Sequence, residues 1–140
     1  MSTKWLVNGA TDGTRSASVS VAPASDEVVR AFPTKPLNMI AIWGAARTGK
    51  SFFMNALARK DDLFQVTGSM EPCTQGVDLS RTTCSVSELV AVSVAPSSTA
   101  TGVSSSSEPL VGFVDVEGQG DRSLDHEMQL AIPVLLISKV

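Results

Sequence analysis

What the chain lacks narrows its chemistry first. It has only two cysteines, Cys73 and Cys84, and neither stands in a cluster with metal-ligand spacing. That argues against a disulfide-stapled scaffold and a cysteine zinc site, and makes reduced thiols of a soluble cytoplasmic protein the expectation. A single histidine, His126, cannot build a histidine metal site and gives no assured Ser-His-Asp arrangement. Alone in a polar stretch near a helix start, it is expected to be exposed. No apolar run approaches the ~18–20 residues that cross a bilayer, and residues 1–8 lack the sustained apolar stretch of a secretory signal. The net charge is −3, without the basic patch that a nucleic-acid backbone demands, so no nucleic-acid partner is expected. What remains is a chain of 140 residues, 43% hydrophobic, with room for one domain and enough apolar material for a core.

Against these absences stands one octapeptide, Gly44-Ala45-Ala46-Arg47-Thr48-Gly49-Lys50-Ser51. It matches G-x-x-x-x-G-K-[ST], a loop that wraps nucleotide phosphates. Met39-Ile40-Ala41-Ile42-Trp43 before it suits a buried strand, and the ten residues from Ser51 to Lys60 read as a helix. Strand, glycine loop and helix in that order are what the motif requires. Gly44 and Gly49 permit backbone angles and close approach that a side chain would block. The loop amides and the helix N-terminus behind them direct partial positive charge at a phosphate. Lys50 would reach the β- and γ-phosphates, and the Ser51 hydroxyl would ligate Mg²⁺. Gly44, Arg47, Thr48, Gly49, Lys50, Ser51 and Phe52 are the expected nucleotide-binding positions of this segment.

The remaining organisation is coarser. Residues 1–36 read as a leader, with Val28-Val29-Arg30-Ala31-Phe32 as a short edge strand before Pro33 and Pro36, and the domain proper runs over 37–140. Residues 64–80 show no period and read as a loop. Residues 87–94 are a strand candidate, and 95–108 a low-complexity hairpin insertion. Leu110-Val111-Gly112-Phe113-Val114-Asp115 is almost wholly apolar, as expected of a central strand covered on both faces. Residues 124–138 read as a helix with Met128, Leu130, Ala131, Leu135 and Leu136 as its apolar stripe. Pro133 is a poor interior residue, so a strand over 134–137 stays open.

An apolar strand ending in Asp after a phosphate loop is the expected metal-side partner, so Asp115 would hold Mg²⁺ directly or through water; the plain alternative is a strand-end Asp capping a turn. Gly118 stands where its amide would touch a γ-phosphate, although glycine there is also ordinary turn chemistry. Thr74 offers a second hydroxyl ligand from a loop, or is simply a surface threonine. Arg47 carries a fixed charge into the phosphate loop, where it either stabilises charge on the transferring phosphoryl group or faces solvent.

Three blocks together resemble the G domain of the guanylate-binding protein and atlastin family of large, dynamin-related GTPases. The first is residues 39–55, with Arg47 inside the loop and Met54-Asn55 after the helix start. The second is Pro72-Cys73-Thr74-Gln75-Gly76-Val77, similar to the family's switch loop. The third is Asp115-Val116-Glu117-Gly118-Gln119-Gly120-Asp121, similar to Asp-x-Glu-Gly-x-Gly-Asp. Residues 130–140 also resemble the helix that follows in the family. The resemblance covers about residues 37–140.

It implies an α/β fold, a three-layer P-loop NTPase sheet truncated at its C-terminal side. It implies GTP and Mg²⁺ as ligands, with Ser51, Thr74 and Asp115 on the metal. Arg47, Thr74 and Glu117 become the expected catalytic residues: an internal arginine finger, a switch ligand, and part of the network ordering the attacking water. A nucleotide-dependent homodimer through the G domain follows from the same resemblance. Where animal guanylate-binding proteins have a water-positioning Ser two places before the switch Thr, this chain has Pro72, so water would be held otherwise. The family's base-recognising Arg-Asp pair, its guanine cap and its helical region would lie beyond Val140, and membrane association would come only from such regions. Two other readings compete: a small-molecule P-loop kinase, for whose arginine-bearing lid only Arg122 is at hand in 119–140, and a non-hydrolysing regulatory relative.

Overall fold

The computed structural model describes residues 1–9, 18–32, 34, 36–68, 74–90, 108–118 and 123–138. Pro72, Cys73, residues 91–94 of the strand candidate, most of the insertion at 95–108, residues 119–121 of the third block and Arg122 lie outside the described residues. In chain order the elements are β1 (Ser2–Asn8), β2 (Val19–Val21), α1 (Ser25–Ala31), β3 (Leu37–Ile42), α2 (Lys50–Ala58), β4 (Val77–Ser80), β5 (Cys84–Ser85), α3 (Val86–Val90), β6 (Leu110–Val116) and α4 (Leu124–Ile137).

The six strands form one mixed sheet in the order β2-β1-β4-β6-β3, with β5 also paired to β6. β3 and β6 are parallel, and their register sets Ile42 opposite Asp115. β4 is antiparallel to both β1 and β6. On the other side of β3, Met39 makes an isolated parallel bridge to Ser138.

β6 explains why helices cover both faces. Its side chains alternate with the period of a strand. Val111 and Phe113 join Met54 and Ala58 of α2 with Leu63 and Phe64, while Val114 and Val116 join Leu130 and Val134 of α4. Fully burying each such side chain contributes about 1.5–3 kcal/mol, so β6 is the common support of both layers. The expectation of a buried central strand is met, and the fold is α/β.

α2 starts at Lys50 behind Gly49, whose φ is 82°, and has no side-chain cap at its N-terminus. Its first-turn amides are therefore left to the loop in front. It ends at Arg59 in the left-handed region, with the Lys60 amide returning to the Asn55 carbonyl. The buried Asn55 amide donates to the carbonyls of Asp61 (3.1 Å) and Phe64 (2.9 Å), and its oxygen accepts from the Phe64 amide (2.8 Å). This folds residues 61–64 back and buries Leu63 and Phe64 under the helix.

Several sequence expectations are corrected. Residues 2–8 are not part of a detached leader but a strand inside the sheet, paired on both sides. Val28–Phe32 is no edge strand: residues 25–31 are helical, with Asp26 and Glu27 in the first turn and Arg30 in the last, as the helix dipole favours. Residues 77–80 of the expected loop form β4, all four buried; four residues are too few to show a period. Residues 86–90 are helical rather than extended. The Glu88 carboxylate accepts from the Ser85 amide (2.6 Å), and Ser85 Oγ accepts from the Glu88 amide (3.2 Å). That reciprocal pair is a capping box, and it starts the helix.

α4 runs unbroken to Ile137 with Pro133 inside it, which settles 134–137 as helix. Ser123 Oγ accepts from the His126 amide at its start. Its buried residues are His126, Leu130 and Val134, spaced four apart; Met128, Leu135 and Leu136 of the expected stripe are exposed. Packing at Leu130 and Val134 on either side of Pro133 offsets the hydrogen bond that proline removes. Among the described residues no helix is long and apolar enough to cross a membrane.

Candidate functional site

The loop between β3 and α2 takes an unusual backbone path. Gly44 (φ 150°), Arg47 (φ 64°) and Gly49 (φ 82°) all have positive φ. Glycine adopts such angles at no steric cost, whereas Arg47 carries strain of about 1–2 kcal/mol. Thr48 Oγ1 (2.9 Å) and Lys50 Nζ (2.8 Å) both donate to the Ala45 carbonyl, drawing the loop over itself. At the end of β6, Gly118 lies against this loop: a Cβ there would sit 2.2 Å from Ala46 Cα. Strand end and loop meet backbone to backbone, and only glycine allows it.

Three oxygen-bearing side chains converge beside Lys50. Ser51 Oγ donates to Asp115 Oδ2 at 2.5 Å, and Thr74 Oγ1 donates to the same oxygen at 2.8 Å. The two hydroxyls are 3.3 Å apart. Each comes from a different element: Ser51 from the first turn of α2, Thr74 from the segment before β4, and Asp115 from β6. Asp115 is fully buried, and its Oδ1 has no hydrogen-bond partner among the described residues. A buried carboxylate with an open oxygen is costly unless a cation faces it. Two hydroxyls and one such carboxylate are the hard oxygen donors that Mg²⁺ takes, so these residues fit the ion. Burial lowers the Lys50 pKa from its ordinary value, while Asp115 acts in the opposite sense.

A second knot lies behind Thr74. Glu117, buried, accepts at Oε2 from the Gly76 amide (2.7 Å) and from Asn8 Nδ2 (2.9 Å), and its own amide donates to the Gly76 carbonyl (2.8 Å). His126 is buried rather than exposed, contrary to its polar sequence surroundings. Its Nε2 lies 3.9 Å from the same Glu117 oxygen, too far for a direct hydrogen bond. Neither ring nitrogen has a hydrogen-bond partner among the described residues. A cavity of ≈ 10 Å³ bounded by Trp43, Glu117, Gly118, His126 and Leu130 adjoins them, room for about one water.

Apart from Gly44, Thr48 and Gly49, which shape the loop, the expected site residues fall into three groups. Ser51, Thr74 and Asp115 meet directly, with Lys50 close by. Glu117 and Gly118 lie next to them, Glu117 bonded to Gly76 and Gly118 against Ala46. Arg47 and Phe52 are exposed, outside the hydroxyl–carboxylate cluster. Sequence reasoning missed Lys4 and Asn8. Lys4 Nζ pairs with Asp78 (2.7 Å) and donates to the Gln75 carbonyl (2.9 Å). Burial pushes the Asp78 carboxyl up in pKa, Lys4 pulls it back, and Asp115 opposite on β6 adds to the rise. No local signal marks Lys4 or Asn8, because their partners lie about seventy and a hundred residues away.

Residues 21–131 match the family model described as guanylate-binding protein, N-terminal domain. No curated protein matches the chain.

Proposed function

Since the chain belongs to the guanylate-binding protein family by its N-terminal domain, we propose that it binds GTP with Mg²⁺ and hydrolyses it, on a three-layer P-loop NTPase sheet. One observation carries the reading: the Ser51 and Thr74 hydroxyls converge on the buried Asp115 carboxylate beside Lys50. A structural turn needs no such meeting of three distant elements, and a phosphate-bound divalent cation does.

In this reading Lys50 exchanges the Ala45 carbonyl for phosphate oxygens, and the uncapped amides at the start of α2 bind the same group. Ser51, Thr74 and Asp115 hold Mg²⁺, which when bound neutralises charge shared by the β- and γ-phosphates. Gly118, pressed against Ala46, brings its amide toward the γ-phosphate. Glu117 fixes Gly76 and so the segment that carries Thr74. Arg47 is the internal arginine finger: its fixed charge and planar fork suit the charge spread over the transferring phosphoryl group. It becomes engaged when a second G domain meets the first, which makes the active species a nucleotide-dependent homodimer.

Single-turnover hydrolysis of GTP by the full chain tests this. Phosphate release that requires Mg²⁺ and accelerates with protein concentration is the expected result. Tight GTP binding with no phosphate release at any protein concentration would reduce the chain to a non-hydrolysing relative.

A further inference from the structure

We propose that β1 is a positioning element for the nucleotide switch, with Asn8 acting on the Thr74–Gly76 segment through Glu117. This rests on the nucleotide reading of the site. β1 precedes residues 21–131, the part matched by the family model, so the role comes from its contacts alone.

Three contacts made by different groups carry it. Asn8 Nδ2 donates to Glu117 Oε2, the same oxygen that receives the Gly76 amide. Lys4 Nζ donates to the Gln75 carbonyl. The β1 backbone also presses on the segment: a Cβ at Gly76 would stand 2.2 Å from the Leu6 carbonyl oxygen, and Gly76 has φ 78°. The pairing of β1 with β4 slips between Lys4 and Leu6, an irregularity of the bulge type. Bulges re-aim side chains next to functional sites. The residues that follow it turn toward the switch and not only toward β4.

The chain of effects is short. Asn8 holds one oxygen of Glu117, and Glu117 holds Gly76 by both its carboxylate and its amide. Gly76 is two residues from Thr74, whose hydroxyl meets Ser51 and Asp115. Among the described residues Asn8 bonds to Glu117, outside the Ser51–Thr74–Asp115 cluster. Its loss would loosen where Thr74 sits and leave Lys50, Ser51 and Asp115 in place, so turnover should fall much further than affinity.

Amide hydrogen exchange on the full chain, followed residue by residue, reads this directly. Asn8→Ala is expected to speed exchange of the Gly76 amide by about tenfold, while amides of β3 and β6 keep their rates. Asn8→Asp keeps the size, loses the donor and sets a carboxylate against Glu117, so it should do at least as much. In single-turnover assays both variants should slow GTP hydrolysis by about tenfold with nucleotide affinity within about twofold of wild type. Unchanged exchange at Gly76 would overturn the proposal. So would a uniform acceleration across the sheet, which would make Asn8 a stability residue only. If the wild type neither binds nor hydrolyses GTP, the nucleotide reading falls by that measurement, while exchange at Gly76 still decides whether β1 braces the segment.

Discussion

Lys50→Ala is expected to weaken GTP binding by roughly a hundredfold or more, a loss of about 3 kcal/mol from charge-assisted hydrogen bonds to phosphate. Titration with a fluorescent GTP analogue measures it. The side chain is well placed for such a loss. Among the described residues its hydrogen bond goes to the Ala45 carbonyl of its own loop. Burial depresses its pKa, which marks a charge held in surroundings poorer than water, where an incoming phosphate would be its best partner. Folding should be almost indifferent to the change. Lys50 is the first residue of α2, alanine favours helix, and the bond to Ala45 is exposed, so stability should move by less than about 1 kcal/mol. A folded Lys50→Ala protein that binds GTP as well as wild type would remove the phosphate loop from the account.

Arg47→Ala is the second large effect, and it should fall on rate alone. Single-turnover hydrolysis is expected to slow by about 10²–10³-fold, within the range for removing one donor from a transition-state charge, and affinity should stay within about threefold. Geometry supports the split. Arg47 is exposed and lies outside the Ser51–Thr74–Asp115 cluster, so it contributes little to holding the ground state. Its φ of 64° keeps a bulky residue in a region that glycine would occupy freely. Strain retained by an arginine where glycine fits is in keeping with a functional demand on the side chain. Arg47→Gly should therefore stabilise the loop and still lose the rate. Arg47→Lys keeps the charge without the fork, and only partial recovery is expected. Equal rates for wild type and Arg47→Ala would take the arginine out of catalysis.

How much was legible in the sequence depended on how local each feature is. The phosphate loop is contiguous, and its strand, glycines and helix were readable together. Asp115 was readable because the apolar run of five residues before it, 110–114, needs two covered faces and ends at a polar one. Thr74 was not readable from spacing, since a threonine in an aperiodic stretch looks like any surface hydroxyl; only the resemblance singled it out. Lys4 and Asn8 were invisible for a stronger reason, because their partners are distant in sequence and β1 runs straight into a turn-forming stretch. The short helix α3 was misread although its signal was present. Ser85 and Glu88 are a capping box, but the alternating valines at 90, 92 and 94 suggested a strand. His126 was misread in the same way. Its polar neighbours suggested exposure, while its spacing of four from Leu130, and of eight from Val134, sets it on the buried face of α4.

The central claim is that Ser51, Thr74 and Asp115 together hold the cation of a bound triphosphate. Asp115→Asn isolates it, because the change keeps the shape of a fully buried side chain while removing its charge and one acceptor oxygen. The decisive quantity is the gain in GTP affinity when Mg²⁺ replaces EDTA, measured on both proteins. Wild type should show a clear gain, and Asp115→Asn should lose nearly all of it while binding metal-free GTP no worse. A gain of equal size in the two proteins would contradict the account.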